Sequence, residues 1–381
     1  MTSTPDARGG ASAASLTANA DADAETRYWL GLHLMPGIGA ARITRLIERF
    51  GSTEAAWSAP ESQLRGIGLP TEVAASFVRE RARIDLDAHL ERLERLGVRA
   101  LTLAHAEYPR LLRHITSPPP VLYVRGQLAP ADDLAIGIVG TRRATAYGND
   151  LARRFGAELA AGGVTVVSGL ARGIDTTAHR AALDAGGRTV AVFGCGLDTI
   201  YPPQNRALAE RITQQGALVS EYALGTPPDA RNFPVRNRII SGLSRGVIVV
   251  EAPIRSGALI TATFAADQGR DVFAVPGSAL SSASAGCHTL IRDGATLVTE
   301  AAQVLDTLNV ERALEHTQSR LTLPETDAER ILLAIIGAEA RHVDELCHES
   351  GLPIHETSGT LLGLELKGLV RQTGSQHYVR A

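Results

Sequence analysis

The middle of the chain alternates short apolar runs with amphipathic segments. From Leu134 onward, each run rich in valine and isoleucine is followed by a glycine-containing turn and then by apolar residues at helical spacing. Unbroken apolar runs are typical of strands buried on both faces, and their alternation with helices predicts an α/β fold with a doubly wound, extended Rossmann-like parallel sheet. The predicted strands are Ile136–Val139, Val164–Val167, Val190–Phe193, Leu218–Ser220, Val247–Val250 and Val272–Val275.

A helical pattern precedes this region. Apolar residues recur at helical spacing from Arg27, and the turn at residues 36–39 (Pro-Gly-Ile-Gly) is typical of a helix-hairpin-helix unit, with a weaker copy at residues 65–70. Such glycine turns either expose amides to a DNA phosphate or only pack two helices together, and both roles remain open. Residues 25–104 are therefore predicted to form a helical, SAM-like domain. Residues 1–24, rich in small and polar residues, are predicted to be disordered.

Proline marks the start of the next domain. Residues 105–133 contain three consecutive prolines at positions 118–120, which cannot lie inside a helix, so this stretch is predicted to be an extended connector. It opens a predicted Rossmann-like domain that spans residues 105–310.

Residues 325–381 follow the order of a winged helix, with three helical segments and then two short strands. Such modules often read DNA with their third helix, but here Glu356 and Glu365 stand against Lys367 in an acidic tail. This balance favours docking to a protein over contact with DNA. A transcriptional regulator that acts through this module is a weaker alternative for the same reason.

The composition, with 44% hydrophobic and 21% charged residues, is ordinary for a soluble globular protein. No apolar run approaches the ~20 residues that cross a bilayer, so we expect a cytoplasmic protein without a membrane partner. Cys195, Cys287 and Cys347 are scattered and lack metal-ligand spacing. Neither a disulfide framework nor a metal site is therefore indicated, and no cofactor is expected.

Charge is distributed unevenly along the chain. The net charge is -3, but residues 136–300 carry 16 arginines against 13 acidic residues, whereas residues 301–381 carry 7 basic against 12 acidic residues. A polyanionic partner would therefore meet the middle of the chain rather than its tail.

The first predicted strand of the sheet ends in polar residues that suit a phosphate. It lacks the Gly-x-Gly-x-x-Gly spacing of dinucleotide-binding folds, and no acid follows the second strand where a ribose would need one, so NAD is disfavoured. Arg142 instead follows the strand directly, with the hydroxyl of Thr145 nearby. These side chains are candidates to hold a phosphate group.

The second predicted strand ends in a similar set. Ser168, Gly169 and Arg172 combine a hydroxyl, a glycine that permits close backbone approach, and a charge at a helix entrance. Asp175 and His179 lie four residues apart on one helix face, but no nucleophile stands beside them. We therefore expect this acid and this histidine to serve the structure rather than acid–base catalysis.

A third cluster lies before and after the predicted strand Val247–Val250. Planar, permanently charged guanidiniums suit phosphate oxygens, and an aromatic ring can stack on a base. The candidates before the strand are Arg231, Phe233, Arg236, Asn237 and Arg238, and those at the helix N-terminus after it are Ser256, Gly257 and Thr261.

Together these residues would form one crevice beyond the strand ends, where such sheets bind ligands. The crevice would offer arginines, glycine amides and a ring, but no catalytic dyad or metal cluster, and Cys195 has no neighbour obliged to activate it. Phosphate clamps beside a stacking ring are what single-stranded nucleic acid requires, which favours binding over turnover. Alanine at Arg142, Arg172 or Arg236 is expected to weaken such binding without unfolding the protein.

The successive motifs resemble those of the DNA-processing protein A family, also called DprA or Smf. The resemblance covers about residues 105–300 and rests on segments that include Val139–Arg142, Ser168–Asp175, Phe233–Arg238 and Ala274–Gly277. It implies a bacterial cytoplasmic protein that binds incoming single-stranded DNA during natural transformation, protects it and helps to load the RecA recombinase. It also implies a homodimer built through the central domain.

An enzyme of similar fold is the main alternative. Nucleotide N-glycosidases akin to the cytokinin-activating phosphoribohydrolases rely on a Pro-Gly-Gly-x-Gly-Thr-x-x-Glu loop with a catalytic glutamate. The nearest Pro-Gly here, Pro276-Gly277, continues Ser-Ala-Leu instead, so the loop is missing. A binding protein without catalytic residues is the favoured interpretation.

Overall fold

The computed structural model describes residues 25–308, 326–337, 340–366, 369–374 and 376–380, and divides the chain into two compact units, Met1–Leu305 and Asp306–Ala381. The predicted disorder of residues 1–24, and the position of Lys367, lie outside the described residues.

The first unit begins with a set of short helices around an apolar core that includes Leu30, Leu46 and Phe77. At both predicted helix-hairpin-helix positions, two helices flank a glycine-containing turn, and Gly37 and Gly68 adopt positive φ in these turns, a conformation that favours glycine. Ser52 and Asp85 cap two of the helices with their side chains. The helices are α1 (residues 25–34), α2 (Ala40–Phe50), α3 (Thr53–Ser58), α4 (Glu61–Gly66), α5 (Thr71–Arg81) and α6 (Leu86–Arg95).

A nine-stranded sheet follows, in the order β1-β2-β6-β5-β4-β3-β7-β8-β9. Neighbours from β6 through β9 in this order are parallel, which confirms the predicted doubly wound sheet. The strands are β1 (Val98–Thr102), β2 (Val121–Gly126), β3 (Ala135–Val139), β4 (Thr165–Ser168), β5 (Thr189–Phe193), β6 (Gly216–Ser220), β7 (Gly246–Val249), β8 (Asp271–Ala274) and β9 (Thr296–Leu297).

Two antiparallel strands extend the sheet beyond the prediction. β2 lies within the stretch expected to be only an extended connector, and it pairs antiparallel with β6 on one side and with β1 on the other. The three prolines end just before β2, at Pro120, so they do not interrupt its ladder. The described sheet is therefore mostly, rather than wholly, parallel.

Helices cover both faces of the sheet. β3 lies at its centre, and from it the chain proceeds to β4, β5 and β6 in one direction and then to β7, β8 and β9 in the other. The order therefore reverses between β3 and β7, which is where open α/β sheets form a crevice at the carboxyl ends of their strands. The helices are α7 (Arg110–Arg113), α8 (Ala146–Ala161), α9 (Ile174–Asp184), α10 (Arg206–Gln215), α11 (Asn232–Gly242), α12 (Gly257–Asp267), α13 (Ala285–Arg292) and α14 (residues 301–308).

The second unit has the predicted helix and wing order around its own apolar core, which includes Leu332, Leu346 and Leu361. Thr326 and Glu329 form a reciprocal capping box at the start of its first helix. Its elements are α15 (Asp327–Ile335), β10 (Arg341–His342), α16 (Val343–Ser350), α17 (Ile354–Leu366), β11 (Val370–Gly374) and β12 (His377–Arg380). Among the residues described in both units, no helix combines the length and the apolar character needed to span a bilayer.

Candidate nucleic-acid interface

A cleft of about 550 Å³ opens at the carboxyl ends of β3 and β7, where the strand order reverses. A smaller cleft of about 260 Å³ adjoins it and shares several of its walls. We call the two together the arginine cleft, because both are lined by Arg142 and Arg143, with Arg255 in the larger part and Arg172 in the smaller.

Five arginines line the cleft, and all of them except Arg236 are exposed. Arg142, Arg143, Arg172 and Arg255 are all exposed, and none of them forms an ion pair within the part of the chain that the structure describes. Three of these side chains follow β3 or β4 directly, and Arg255 lies between β7 and α12. The cleft therefore concentrates positive charge where an anion could reach it.

Two aromatic rings stand beside these arginines. The rings of Phe233 and Tyr201 lie with their centroids 5.5 Å apart at an interplanar angle of 31°. The guanidinium carbon of Arg142 lies 5.6 Å from the centroid of the Phe233 ring, and that of Arg236 lies 5.8 Å from it. Such cation–π contacts fix the ring on α11, so it presents a formed surface to the cleft.

Arg236 lies beneath the ring and is almost fully buried, with 4% of its surface exposed. Its Nη1 donates hydrogen bonds to the carbonyl oxygen of Gly169, at 2.9 Å, and to that of Val192. Burial lowers the pKa of this guanidinium to about 10. The side chain therefore joins α11 to the carboxyl ends of β4 and β5. Because it is buried, Arg236→Ala is expected to destabilise the protein, contrary to the expectation from the sequence that this variant stays folded.

The loop after β4 packs closely around Arg236. A Cβ added at Gly169 would lie 2.6 Å from the guanidinium, so a larger residue would have to displace the buried Arg236 side chain. Ser168 is fully buried and donates its hydroxyl hydrogen to the carbonyl oxygen of Ile138 at 2.6 Å. Gly169 therefore lines the smaller part of the cleft, whereas Ser168 is buried and lines neither part.

Asp175 and His179 have separate partners. The Asp175 carboxylate accepts hydrogen bonds from the amides of Gly169 and Ala171, while His179 Nδ1 lies 2.7 Å from the hydroxyl oxygen of Thr189. Burial raises the pKa of Asp175 to about 6 and lowers that of His179 to about 3. Both side chains are buried and held by hydrogen bonds within the fold, and their expected lack of a role in acid–base catalysis stays a prediction.

Thr145 caps α8 and holds a buried glutamate. Its hydroxyl accepts a hydrogen bond from the Gly148 amide at 3.1 Å and donates one to Glu251 at 2.6 Å, and its own amide donates to the other Glu251 oxygen at 2.8 Å. The single hydroxyl hydrogen is thus already engaged, and Glu251 is 2% exposed. In this arrangement Thr145 shapes the cleft rather than offering a donor to it.

Replacing Thr145 by alanine is expected to lower the free energy of unfolding by about 1–2 kcal/mol, because the helix loses its cap and buried Glu251 loses a donor. Urea denaturation measures this change. The control is Thr263→Ala on α12, an exposed hydroxyl bonded only to a helix carbonyl, with an expected change within about 0.5 kcal/mol. Equal stability of the wild type and the Thr145 variant would contradict the capping role.

The opposite wall of the cleft is formed by α11 and the start of α12. The Asn237 amide donates a hydrogen bond to the Gly257 carbonyl oxygen at 3.2 Å, which ties the two helices together. Ser256 caps α12 with its side chain. Thr261 lines the cleft at 1% exposure, and its hydroxyl has no hydrogen-bond partner among the described residues.

The two other predicted arginines are paired with acids and do not line the cleft. Arg231 is exposed and forms a two-pronged ion pair with Asp229, and the hydrogen bonds from Arg231 lower the pKa of Asp229 to about 2. Arg238 pairs with Glu221 at 2.5 Å, and each side chain is only 13% exposed. The structure therefore brings Arg142, Arg172, Phe233 and the α12 residues together and leaves Arg231 and Arg238 outside.

Comparison of the chain with known proteins identifies its family. A family model described as DNA recombination-mediator protein A matches residues 99–309, and a model of the DprA winged helix domain matches residues 316–375. The chain belongs to the DNA processing protein A (DprA/Smf) family.

Relatives of the DprA/Smf family match most of the chain. Protein Smf of Synechocystis is 38% identical over 396 residues, which cover 94% of this chain and all of the relative. The X-ray structure of DprA from Streptococcus pneumoniae matches with a TM-score of 0.66 at 38% identity, over 74% of this chain and 97% of that one. A structure of DprA from Helicobacter pylori, described for its single-stranded DNA binding mode, matches with a TM-score of 0.51 at 30% identity, over 56% and 96% of the two chains.

Some cleft residues of this DprA/Smf member were not among the predicted site residues. Tyr201 and Arg255 line the cleft beside the predicted residues, and so does Arg143. For Arg255 a signal was present, because it lies between a predicted strand and the next helix, as Arg142 and Arg172 do. Tyr201 lies in the loop before α10, and only the fold brings it against Phe233.

Proposed function

We propose that this chain is a single-stranded DNA-binding recombination mediator that protects incoming DNA and loads RecA during natural transformation. It would act in the cytoplasm as a homodimer and without catalysis of its own. The observation that carries the proposal is the arginine cleft, with four exposed guanidiniums that lack acidic partners in the described chain, around a formed pair of rings.

The combination of charge and rings suits a single strand. Guanidiniums neutralise backbone phosphates and release counterions, whereas a base can stack on an exposed ring only when it is not paired within a duplex. Phe233 is partly exposed, and its neighbours Arg142 and Tyr201 are exposed, so a base can approach the ring pair. The proposed contacts are Arg142 and Arg172 to phosphates and Phe233 to a base.

The start of α12 supports a further phosphate contact. α12 presents its N-terminus to the cleft, and a helix N-terminus favours an anion because its first amides lack helical partners. Gly257 is exposed there, and the unpartnered Thr261 hydroxyl lies one turn further along. We propose that Ser256, Gly257 and Thr261 receive a second phosphate of the same strand.

Other predicted site residues would act indirectly. Ser168, Gly169, Arg236 and Asn237 hold the walls of the cleft in place through the hydrogen bonds described above. Arg231 and Arg238 are neutralised by acids, so we expect their contribution to DNA affinity to be small.

Replacing Phe233 by alanine is expected to weaken binding to an oligo(dT) strand about ten-fold, because one base loses its stacking partner. Fluorescence anisotropy at fixed salt measures the affinity. The salt dependence should stay unchanged, since no phosphate contact is removed. The control is Tyr147→Ala, which removes an exposed ring that does not line the cleft. A buried ring such as Phe77 would not serve, because its removal would leave a cavity in the core. An unchanged affinity for the Phe233 variant would remove the ring from the site.

The mediator role needs its own experiment. RecA assembly on single strands coated with single-strand-binding protein should be faster with the protein present, and the protein should hydrolyse neither ATP nor nucleoside monophosphates. The N-glycosidase alternative would instead release free base from nucleotide. Binding without any acceleration of RecA would support the DNA site but contradict the mediator role.

A homodimer would offer two arginine clefts to one strand and so raise its avidity. The edge strand β9 supports such an assembly, because Leu297 is 46% exposed there. The mass of the purified protein, measured by light scattering across a dilution series, tests the dimer.

A further inference from the structure

The strand β1 forms a lateral edge of the sheet, away from the carboxyl ends that build the arginine cleft. Among the described strands it pairs only with β2, in an antiparallel ladder in which alternate residues point their backbone groups toward the partner strand. The Leu103 amide donates to the Pro120 carbonyl oxygen on the β2 side, while the Thr102 amide donates to His105 Nδ1 on the other. The backbone amide and carbonyl groups of Val98 and Ala100 therefore point away from β2, as those of Thr102 do.

One outward position on this edge is unoccupied. His105 closes the edge at Thr102, because its ring accepts from the Thr102 amide and its own amide donates to the Thr102 carbonyl oxygen at 3.1 Å. At Ala100 no described residue forms a hydrogen bond to the amide or the carbonyl on that side. Ala100 is partly exposed, so this part of the edge can pair with another strand.

One face of the edge carries an apolar cavity of about 290 Å³. The charged side chains of its lining already have partners: Arg99 pairs with Glu107, Arg110 pairs with Asp133, and Asp132 pairs with Arg188, which lies outside the lining. The cavity therefore suits an uncharged, apolar side chain rather than a polar one. Its apolar lining includes Leu101, Leu111, Val124, Leu128, Val167, Val190 and Leu243.

The other face of the edge is acidic. A groove between β1 and α6 is lined by the carboxylates of Asp87, Glu91 and Glu94. Asp87 and Glu91 have exposed arginine partners at 3.3 and 3.9 Å, and such exposed pairs are weak. Glu94 is exposed and forms no ion pair with a described residue. A cationic side chain is therefore the complement of this face.

We propose that the β1 edge is a docking site at which an extended segment of a partner protein adds as a further strand. Backbone groups of the segment would pair with Ala100, and successive side chains of a strand point to opposite faces. The fitting segment alternates an apolar residue, which enters the cavity beside Leu101, with a lysine or arginine that faces Glu94. The partner is thus recognised by main-chain pairing and by an apolar–basic alternation.

The test uses a labelled peptide with the sequence Thr-Lys-Leu-Lys-Leu-Lys-Thr and fluorescence anisotropy on the full chain. Two control peptides replace lysine by glutamate or carry N-methyl groups on alternate amides. The protein variants are Ala100→Pro and Glu94→Arg. Proline at position 100 removes an outward donor without removing a β1–β2 hydrogen bond.

We expect the lysine peptide to bind the wild type, and both control peptides to bind at least ten-fold more weakly. Ala100→Pro and Glu94→Arg should each weaken the lysine peptide about ten-fold or more while leaving oligo(dT) affinity unchanged. Hydrogen exchange on the wild type gives a readout without substitution, since the peptide should protect the Ala100 amide. Absence of binding, equal binding by Ala100→Pro, or protection elsewhere but not at Ala100 would overturn the proposal.

Discussion

Replacing Arg142 and Arg172 together by alanine is expected to weaken binding to an oligo(dT) strand about 100-fold near physiological salt. Each substitution removes one charge-assisted contact to a phosphate, and ~1.4 kcal/mol lost at each site corresponds to a ten-fold change in affinity. Both side chains are exposed and lack ion-pair partners in the described chain, so the fold should be unaffected. Anisotropy titrations over a range of salt concentrations measure the effect.

The salt dependence separates this result from a general loss of structure. For single strands the slope of log affinity against log salt falls by ~0.7 for each phosphate contact removed, so the double variant should lose about 1.4 from its slope. The matched control is Arg211→Ala, an exposed arginine paired with Asp184 away from the cleft, which should bind as the wild type does. Loss of less than three-fold in the double variant would place the strand elsewhere.

Replacing Arg236 by alanine is expected to lower the free energy of unfolding by about 3–5 kcal/mol, because two buried carbonyl groups lose their donor and the buried Asp175 carboxylate loses the nearby positive charge that lowers its pKa. The effect differs from that expected of a surface arginine, and it follows from the 4% exposure of the side chain. Urea or thermal denaturation measures it. DNA affinity of the variant should be compared only under conditions in which it is folded.

A second substitution tests the cause of that loss. In Arg236→Ala combined with Asp175→Asn, the guanidinium and the carboxylate charge that it stabilises are removed together, so the total loss should be smaller than the sum of the two single losses. The control Arg231→Ala removes an exposed arginine of the same segment and should change stability by no more than about 0.5 kcal/mol. Additive losses, or a stable Arg236 variant, would contradict the electrostatic role.

The sequence predicted the central sheet well because strands that are buried on both faces appear in the sequence as unbroken apolar runs. The run at Ile136–Val139 appears as β3, and the run at Val247–Val250 appears as β7 with a shift of one residue. β1 and β2 were missed for a physical reason. They belong to the antiparallel edge, β1 follows a helix within a helical pattern, and β2 follows three prolines, so neither shows the strand–turn–helix alternation that marks its neighbours.

The candidate site was predicted in position but not in detail. Motif positions after strands brought Arg142, Arg172 and Phe233 to one edge of the sheet, as parallel strands require. What the sequence could not indicate is which arginines are compensated. Arg231 pairs with Asp229 two residues away, whereas the partner of Arg238 is Glu221, which lies 17 residues earlier, directly after β6. Burial of Arg236 likewise depends on how α11 packs over β4 and β5.

The most direct test of the account is a photo-crosslinking experiment with a single strand that contains 5-iodouracil. If bases stack in the arginine cleft, irradiation of the full chain should join the strand to Phe233 or Tyr201, and mass spectrometry should identify the modified peptides. The Arg142→Ala/Arg172→Ala variant should lose most of the crosslink. Crosslinks confined to the helix-hairpin-helix turns or to the winged helix, with none at Phe233 or Tyr201, would contradict the central claim.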